Sequence, residues 1–218
     1  MKKSTLLLLM SVMFFLFSCN NSHSGKKKHN GKMASKVEIR HPLVVMKTEF
    51  GTIVAELCPD KAPQTVANFE RYIRENRLKD AVFYRTVTRK NQPGKKIKIE
   101  VVQGGLYRDN HADMLPPIQL ETTKQTGLHH LNGTLSMARD KPNSATSEFF
   151  ICIGDQPSLD YGGKRNPDGL GFAAFGRVIK GMDVVRKIQQ QPSNHQILIP
   201  MVKLDTIFVG NLGSLLTL

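Results

Sequence analysis

The sequence has no tryptophan and only three cysteines in 218 residues. No disulfide-rich scaffold can be built from so few thiols. Its histidines, among them His111, His129, His130 and His195, lack the spacing of a metal-ligand set, so no metal and no cofactor are expected. The apolar run Leu6–Phe17, broken only by Ser11, is too short for a bilayer span, which needs about 20 residues. Acid is missing altogether from residues 1–36, which hold seven lysines. That absence accounts for much of the formal net charge of +13, because residues 37–218 carry 24 Lys and Arg against 18 Asp and Glu. A mild excess with no aromatic-interleaved basic motif argues against a nucleic-acid partner. There is no internal repeat.

What is present begins with an address. Lys2-Lys3 followed by Leu6–Phe17 fits the charged and apolar regions of a signal peptide. The run ends Leu16-Phe17-Ser18-Cys19, a small residue before a Cys, and this resembles the bacterial lipobox. The resemblance implies cleavage before Cys19 and lipid attached to it; the bland alternative is a plain secretory signal with an incidental Cys. Asn20 after the Cys favours sorting to the outer membrane, facing the periplasm. Residues 1–18 are therefore expected to be a signal peptide, 19–36 a lipidated Cys and disordered basic tether, and 37–218 a folded domain. Cys58 and Cys152 fall in or beside strand-like runs, and nothing brings them together, so they are expected to be unpaired.

The folded part reads as short strands. Leu43–Met46 and Thr52–Leu57 flank Glu49-Phe50-Gly51, a hairpin pattern. From Pro63 to Arg77, Val66, Phe69 and Ile73 recur at helical spacing with polar Asn68, Glu70, Arg71 and Arg74 between them; Pro63 suits the first position of a helix. Ala81–Val87 returns to strand character, with Phe83, Arg85 and Val87 on one face and Tyr84 and Thr86 on the other. A basic loop, Thr88–Lys96, leads to Ile97, Ile99 and Val101 in alternation, and that strand stops at Gln103-Gly104-Gly105. Tyr107–Gly127 and Asp155–Leu170 read as loops. Gly133–Gly154 reads as strand, long polar loop, strand, and its adjacent Phe149 and Phe150 must face opposite sides. Phe172–Val178 is a strand, Asp183–Ile188 a helix with its acid and bases matched to the helix dipole, and Met201–Val209 a closing strand. Seven or eight strands with two helices suggest a closed or nearly closed antiparallel barrel.

In order along Leu43 to Val209 stand GTIVAEL, APQTVANF, FYRTV, VVQGG, GTLSMAR, SATSEFFICIG and FAAFGRVIKGMDVV. In these blocks the chain resembles the cyclophilins, the peptidyl-prolyl cis/trans isomerases. The resemblance implies a mainly β fold, a closed eight-stranded antiparallel barrel capped by two α-helices, with a proline-binding groove on its outside. It implies that Arg85 is the catalytic arginine and Gln103 reads the substrate backbone. Val101, Phe150 and Leu159 would wall the proline pocket, with Phe150 outward and Phe149 in the core. Ala138 and Arg139 would lie along the substrate. The implied partners are proline-containing polypeptides, met by a monomer held to the membrane through Cys19.

Rotation about an X–Pro bond makes and breaks no covalent bond, so it needs neither nucleophile nor metal. It needs the amide resonance weakened against a barrier of about 18–20 kcal/mol, and an arginine, always charged, suits that task. Several residues depart from the family. The segment from Tyr84 to Gln103 is long and brings Arg89, Lys90, Lys95 and Lys96 near the groove rim. Glu100 falls where an aromatic pocket residue is usual and Ser158 where a bulky residue is common; of the residues expected to bind substrate, Glu148 stands beside the pocket where Gln is common and Phe172 where His is common. These leave two expectations: an isomerase that helps exported proteins fold, or a proline-peptide-binding or chaperone module with little catalysis.

Overall fold

The computed structural model describes residues 41–107 and 111–210. The expected signal peptide, Cys19 and the expected tether lie outside the described residues. The chain divides into two units at Val37/Glu38, and the second, Glu38–Leu218, holds the fold. No helix among the described residues is long and apolar enough to cross a membrane.

Strands β1 (Leu43–Thr48) and β2 (Gly51–Leu57) form the opening hairpin, Thr48 facing Gly51. Helix α1 (Pro63–Arg74) starts on its proline and stops three residues sooner than the sequence pattern suggests. Strands β3 (Val82–Val87) and β4 (Val101–Gly105) follow, then the short helix α2 (Thr123–Thr126) inside the long loop, then β5 (Thr134–Met137) and β6 (Phe149–Cys152). The chain closes with β7 (Ala173–Lys180), α3 (Met182–Gln189), β8 (Ser193–Asn194), β9 (Ile197–Lys203) and β10 (Thr206–Gly210). Every pairing is antiparallel, in the order β10-β1-β2-β7-β5-β6-β4-β3-β9-β8.

Three expectations are corrected. The sheet has ten strands rather than eight, because the closing strand divides at Leu204-Asp205 and a two-residue strand precedes it. Its order ends on β10 and β8, which are not bonded to each other, so it is an open mainly β sheet and not a closed barrel. Three α-helices accompany it, not two.

The core lies on one face of the sheet. Phe69, Phe83, Phe149 and Phe175 are fully buried there. Phe149 meets Phe69 and Phe83 edge-on, with ring centroids 5.2 and 5.9 Å apart. Such pairs add about 0.5–1.5 kcal/mol each beyond plain burial. Asn68 is buried in α1 rather than solvated, because its Nδ2 donates to the Thr146 carbonyl at 2.9 Å. The opposite face of the central strands carries a second cluster of Val87, Ile99, Val101, Phe150, Cys152 and Leu159. Period-two alternation thus divides the Phe pair between core and outer face.

Strand β3 breaks that alternation. Its register with β4 shifts between Phe83 and Arg85, so Phe83 faces Gly104 and Arg85 faces Gln103, with Tyr84 as the extra residue. A bulge of this kind re-aims side chains. Phe83 stays in the core while Arg85 and Val87 turn outward; the expectation that all three share one face is corrected. Gly105 completes the corner. It sits at φ +132, and a Cβ there would meet Glu148 Cα and the Ser147 carbonyl at 2.8 Å. Only glycine lets β4 end so close to the start of β6, which sets Glu148 beside Gln103.

Candidate active site

The outer face of β3, β4, β5 and β6 opens into a cavity of about 400 Å³. Arg85, Val101, Gln103, Ala138, Arg139, Glu148, Phe150, Leu159 and Phe172 all line it. The structure therefore gathers the nine site residues named from the sequence within the domain into one groove. Cys19 lies outside the described residues.

The polar side of the groove is a chain of hydrogen bonds. Arg85 Nη1 donates to Gln103 Oε1 at 2.9 Å. Gln103 Nε2 donates to Glu148 Oε2 at 3.1 Å and to the Tyr84 hydroxyl. The amide of Gln103 is thereby oriented: its nitrogen faces a carboxylate that only accepts, its oxygen a guanidinium that only donates. Burial first, and then the Glu148 carboxylate, push the Tyr84 phenol well above its ordinary value, so its proton stays in place. Arg85 Nε and Nη2 both donate to Gln196 Oε1, at 3.0 and 2.7 Å. Of the five N–H groups on a guanidinium, three are thus used among the described residues.

The apolar side is built on Phe150. Phe172 meets it edge-on at 5.3 Å, with the rings perpendicular. His130 stacks beneath it at 5.9 Å and 18°. His130 is buried, its Nδ1 2.6 Å from Asp160 Oδ1 and its Nε2 2.9 Å from Ser136 Oγ. An Asp–His–Ser order of this sort could suggest a nucleophile, but Ser136 is fully buried and out of a substrate's reach. The three instead brace the wall. His129 converges with it on Asp160, at 3.0 Å from Oδ2; the pair lies in a loop. Burial raises the Asp160 carboxyl, but the hydrogen bonds from His130 and His129 outweigh it and hold the group below its ordinary value.

Arg139 lines the groove differently from expectation. Its side chain is only 1 % exposed. Nη1 and Nη2 grip Asp168 at 2.8 and 2.9 Å, Nε donates to the Gly171 carbonyl at 2.9 Å, and the guanidinium covers the Phe172 ring at 5.3 Å. It fastens the loop before β7 and has little left to offer a substrate. Glu100 is corrected too. It pairs with Arg89 at 3.2 Å and does not line the cavity; Ile99 does. The long segment between β3 and β4 is pinned by Gln92, buried in it, whose Nε2 donates to the Thr88 and Ile99 carbonyls at 2.7 and 2.8 Å.

Sequence reasoning missed Ile99, Met114, Arg165, His130 and Gln196. The first three line the groove. Arg165 reaches it from the loop Asp155–Leu170, its Nη1 donating to the Ile97 carbonyl at 2.7 Å. A lone Arg or Gln in a turn-rich loop carries no sequence signal of such a role. His111, given no metal spacing, does come within 4.8 Å of Asp80 and Asp113 through their ligand atoms. Lys79 Nζ stands 3.6 Å from Asp113, and the group reads as an ion-pair cluster. Cys58 and Cys152 are free thiols.

The family described as cyclophilin type peptidyl-prolyl cis-trans isomerase/CLD matches residues 43–207. The chain belongs to the cyclophilin-type isomerase family. A peptidyl-prolyl cis-trans isomerase of Acinetobacter baylyi is 34% identical to it over 165 residues, 75% of this chain and 80% of the relative. Peptidyl-prolyl cis-trans isomerase B of Escherichia coli is 34% identical over 67% of this chain and 84% of its own length. The isomerase cyp18 of Streptomyces antibioticus is 37% identical over 67% and 82%. Among solved structures, a cyclophilin type isomerase of Cryptosporidium parvum shares the fold, with a TM-score of 0.59 and 21% identity over 78% of this chain and 97% of that one. Seen as a cyclophilin, the chain carries Glu148 and Phe172 in its groove on the family's β framework.

Proposed function

We infer that this groove performs peptidyl-prolyl cis/trans isomerisation and that Arg85 is its catalytic group. The activity is that of the family, and relatives at 34–37% identity bear its name. One observation carries the assignment of Arg85: its guanidinium is held by two neutral amides, Gln103 and Gln196, beside the wall of Phe150 and Leu159. Neutral partners hold the guanidinium without cancelling its charge.

The reaction follows from that arrangement. A proline ring packs against Phe150, Phe172 and Leu159 and is held still. As the peptide twists, the prolyl nitrogen withdraws its lone pair from the carbonyl and double-bond character is lost. A remaining N–H of Arg85 donates to that nitrogen and stabilises the twisted form more than either planar one, which is what acceleration requires. The Cryptosporidium parvum protein has also been solved in the presence of the dipeptide Ala-Pro, a ligand of the class assigned here. The test is exchange spectroscopy on a Xaa-Pro peptide: added protein raises the cis/trans exchange rate, and no rise would contradict the reading.

The setting we assign is the bacterial envelope, with Cys19 lipidated, the domain tethered to the outer membrane on the periplasmic side, and a monomer acting on exported proline-containing clients. The lipobox-like Leu16-Phe17-Ser18-Cys19 and the acid-free tether support it. Cells fed labelled fatty acid should label the wild-type chain and not Cys19→Ser; label retained in the variant would overturn the anchor.

A further inference from the structure

Gln196 grips Arg85 from 111 residues along the chain. It lies in the two-residue turn His195-Gln196 between β8 and β9, where Asn194 pairs with Ile197. Both turn residues have positive φ, +46 and +75. Two-residue hairpin turns of this kind favour Asn, Asp and Gly, and Gln lacks that ease. A side chain kept in such a backbone position is held there by its surroundings. Here the surroundings are complete. Gln196 Oε1 accepts from Nε and Nη2 of Arg85, Gln196 Nε2 donates to the Asn91 carbonyl at 2.9 Å, and the Gln196 carbonyl accepts the Thr86 N–H at 2.8 Å. The amide can face only one way, because Arg85 only donates and the Asn91 carbonyl only accepts.

We propose that Gln196 is the positioning residue for Arg85, fixing the plane of its guanidinium by a two-donor grip while leaving its charge whole. This rests on the reading of Arg85 as catalytic. Without Gln196, Arg85 keeps among the described residues a single side-chain bond, from Nη1 to Gln103, about which a long flexible side chain can turn. A carboxylate in the same place would hold the fork as firmly but would neutralise it. Because Gln196 also bonds the segment that follows β3 through Asn91, it couples the aim of the arginine to the turn's own geometry.

The test compares Gln196→Gly, Arg85→Ala and the double variant in the full chain. Glycine relieves the positive φ, so melting temperature should hold or rise. The exchange rate on a Xaa-Pro peptide should fall on the order of 10- to 100-fold, with peptide affinity changed less than about twofold. In the Arg85→Ala background Gln196→Gly should have no further effect. A rate within about twofold of wild type for Gln196→Gly, or the same loss in both backgrounds, overturns the positioning role. If Arg85→Ala itself keeps its rate, the catalytic reading fails and this inference with it; if only Gln196→Gly keeps its rate, this inference alone fails.

Discussion

His130 lies face to face with Phe150, ring centroids 5.9 Å apart and planes 18° from parallel. The imidazole is pinned at one nitrogen by Asp160 and at the other by Ser136. The groove wall is therefore backed by a polar brace and not by plain hydrocarbon. Replacing His130 with Ala opens a void behind Phe150 and strips Ser136 of that partner. We expect a loss of about 2–4 kcal/mol in denaturant unfolding, together with weaker binding of proline peptides.

The brace also sets an acid limit. Hydrogen bonds from His130 and His129 overcome the effect of burial and lower the Asp160 carboxyl on folding. A lowered value favours the folded state when the group is ionised. Its contribution is therefore fully present well above the ordinary value of 3.8 and is lost as the pH falls through the lower folded value. Melting curves between neutral and acid pH should show wild type losing stability there. Asp160→Asn should be less stable at neutral pH and should lose less in acid.

Arg139 and Asp168 form a latch. The Asp168 carboxyl is held below its ordinary value, mainly by its hydrogen bond with Arg139. Arg139→Lys keeps the charge but loses the two-donor fork and the flat cover over Phe172. Amide hydrogen exchange across residues 155–171 should quicken in that variant, while the core strand β6 keeps its protection.

Charge in the groove should select clients. Arg165 brings a second guanidinium to the face that holds Arg85; burial, and then the charge on Arg85, hold it below its ordinary value. Glu148 brings the opposite sign from β6's near end. In a Xaa-Pro series, Arg165→Ala should reduce the preference for Glu over Lys at Xaa several-fold, on the order of 1 kcal/mol. Glu148→Gln should shift it the other way. Equal preferences in all three proteins would remove both residues from selectivity.

Much of this was legible in residue order. Pro63, Val66, Phe69 and Ile73 mark α1, and Phe149-Phe150 divides between core and groove as period-two alternation requires. Seven blocks in series located β2, α1, β3, β4, β5, β6, β7 and α3. The sequence could not reveal the bulge at Tyr84, which moves Phe83 to the face opposite Arg85. A bulge changes side-chain direction without changing composition. Glu100 does not take the pocket place expected of it, because the segment before Val101 lies outside β4 and Gln92 bonds to Ile99 on both sides of its peptide unit. Gln196 and His130 act through contacts 111 and 20 residues distant, and no local pattern announces such contacts. Sheet closure depends on pairing between distant strands, so ten strands in an open order could not be counted from periodicity alone.

The central claim is that Arg85 does the chemistry of this groove and that the domain is more than a holder of proline peptides. The direct measurement is the cis/trans exchange rate of a Xaa-Pro peptide with wild type and with Arg85→Ala, beside the melting temperature of each. The account predicts a loss on the order of 100-fold in the catalysed rate, with the fold retained because Arg85 stands on the outer face, away from the core. Catalysis unchanged in a folded Arg85→Ala protein would contradict it, and so would wild-type protein that binds the peptide and slows client aggregation without raising the exchange rate.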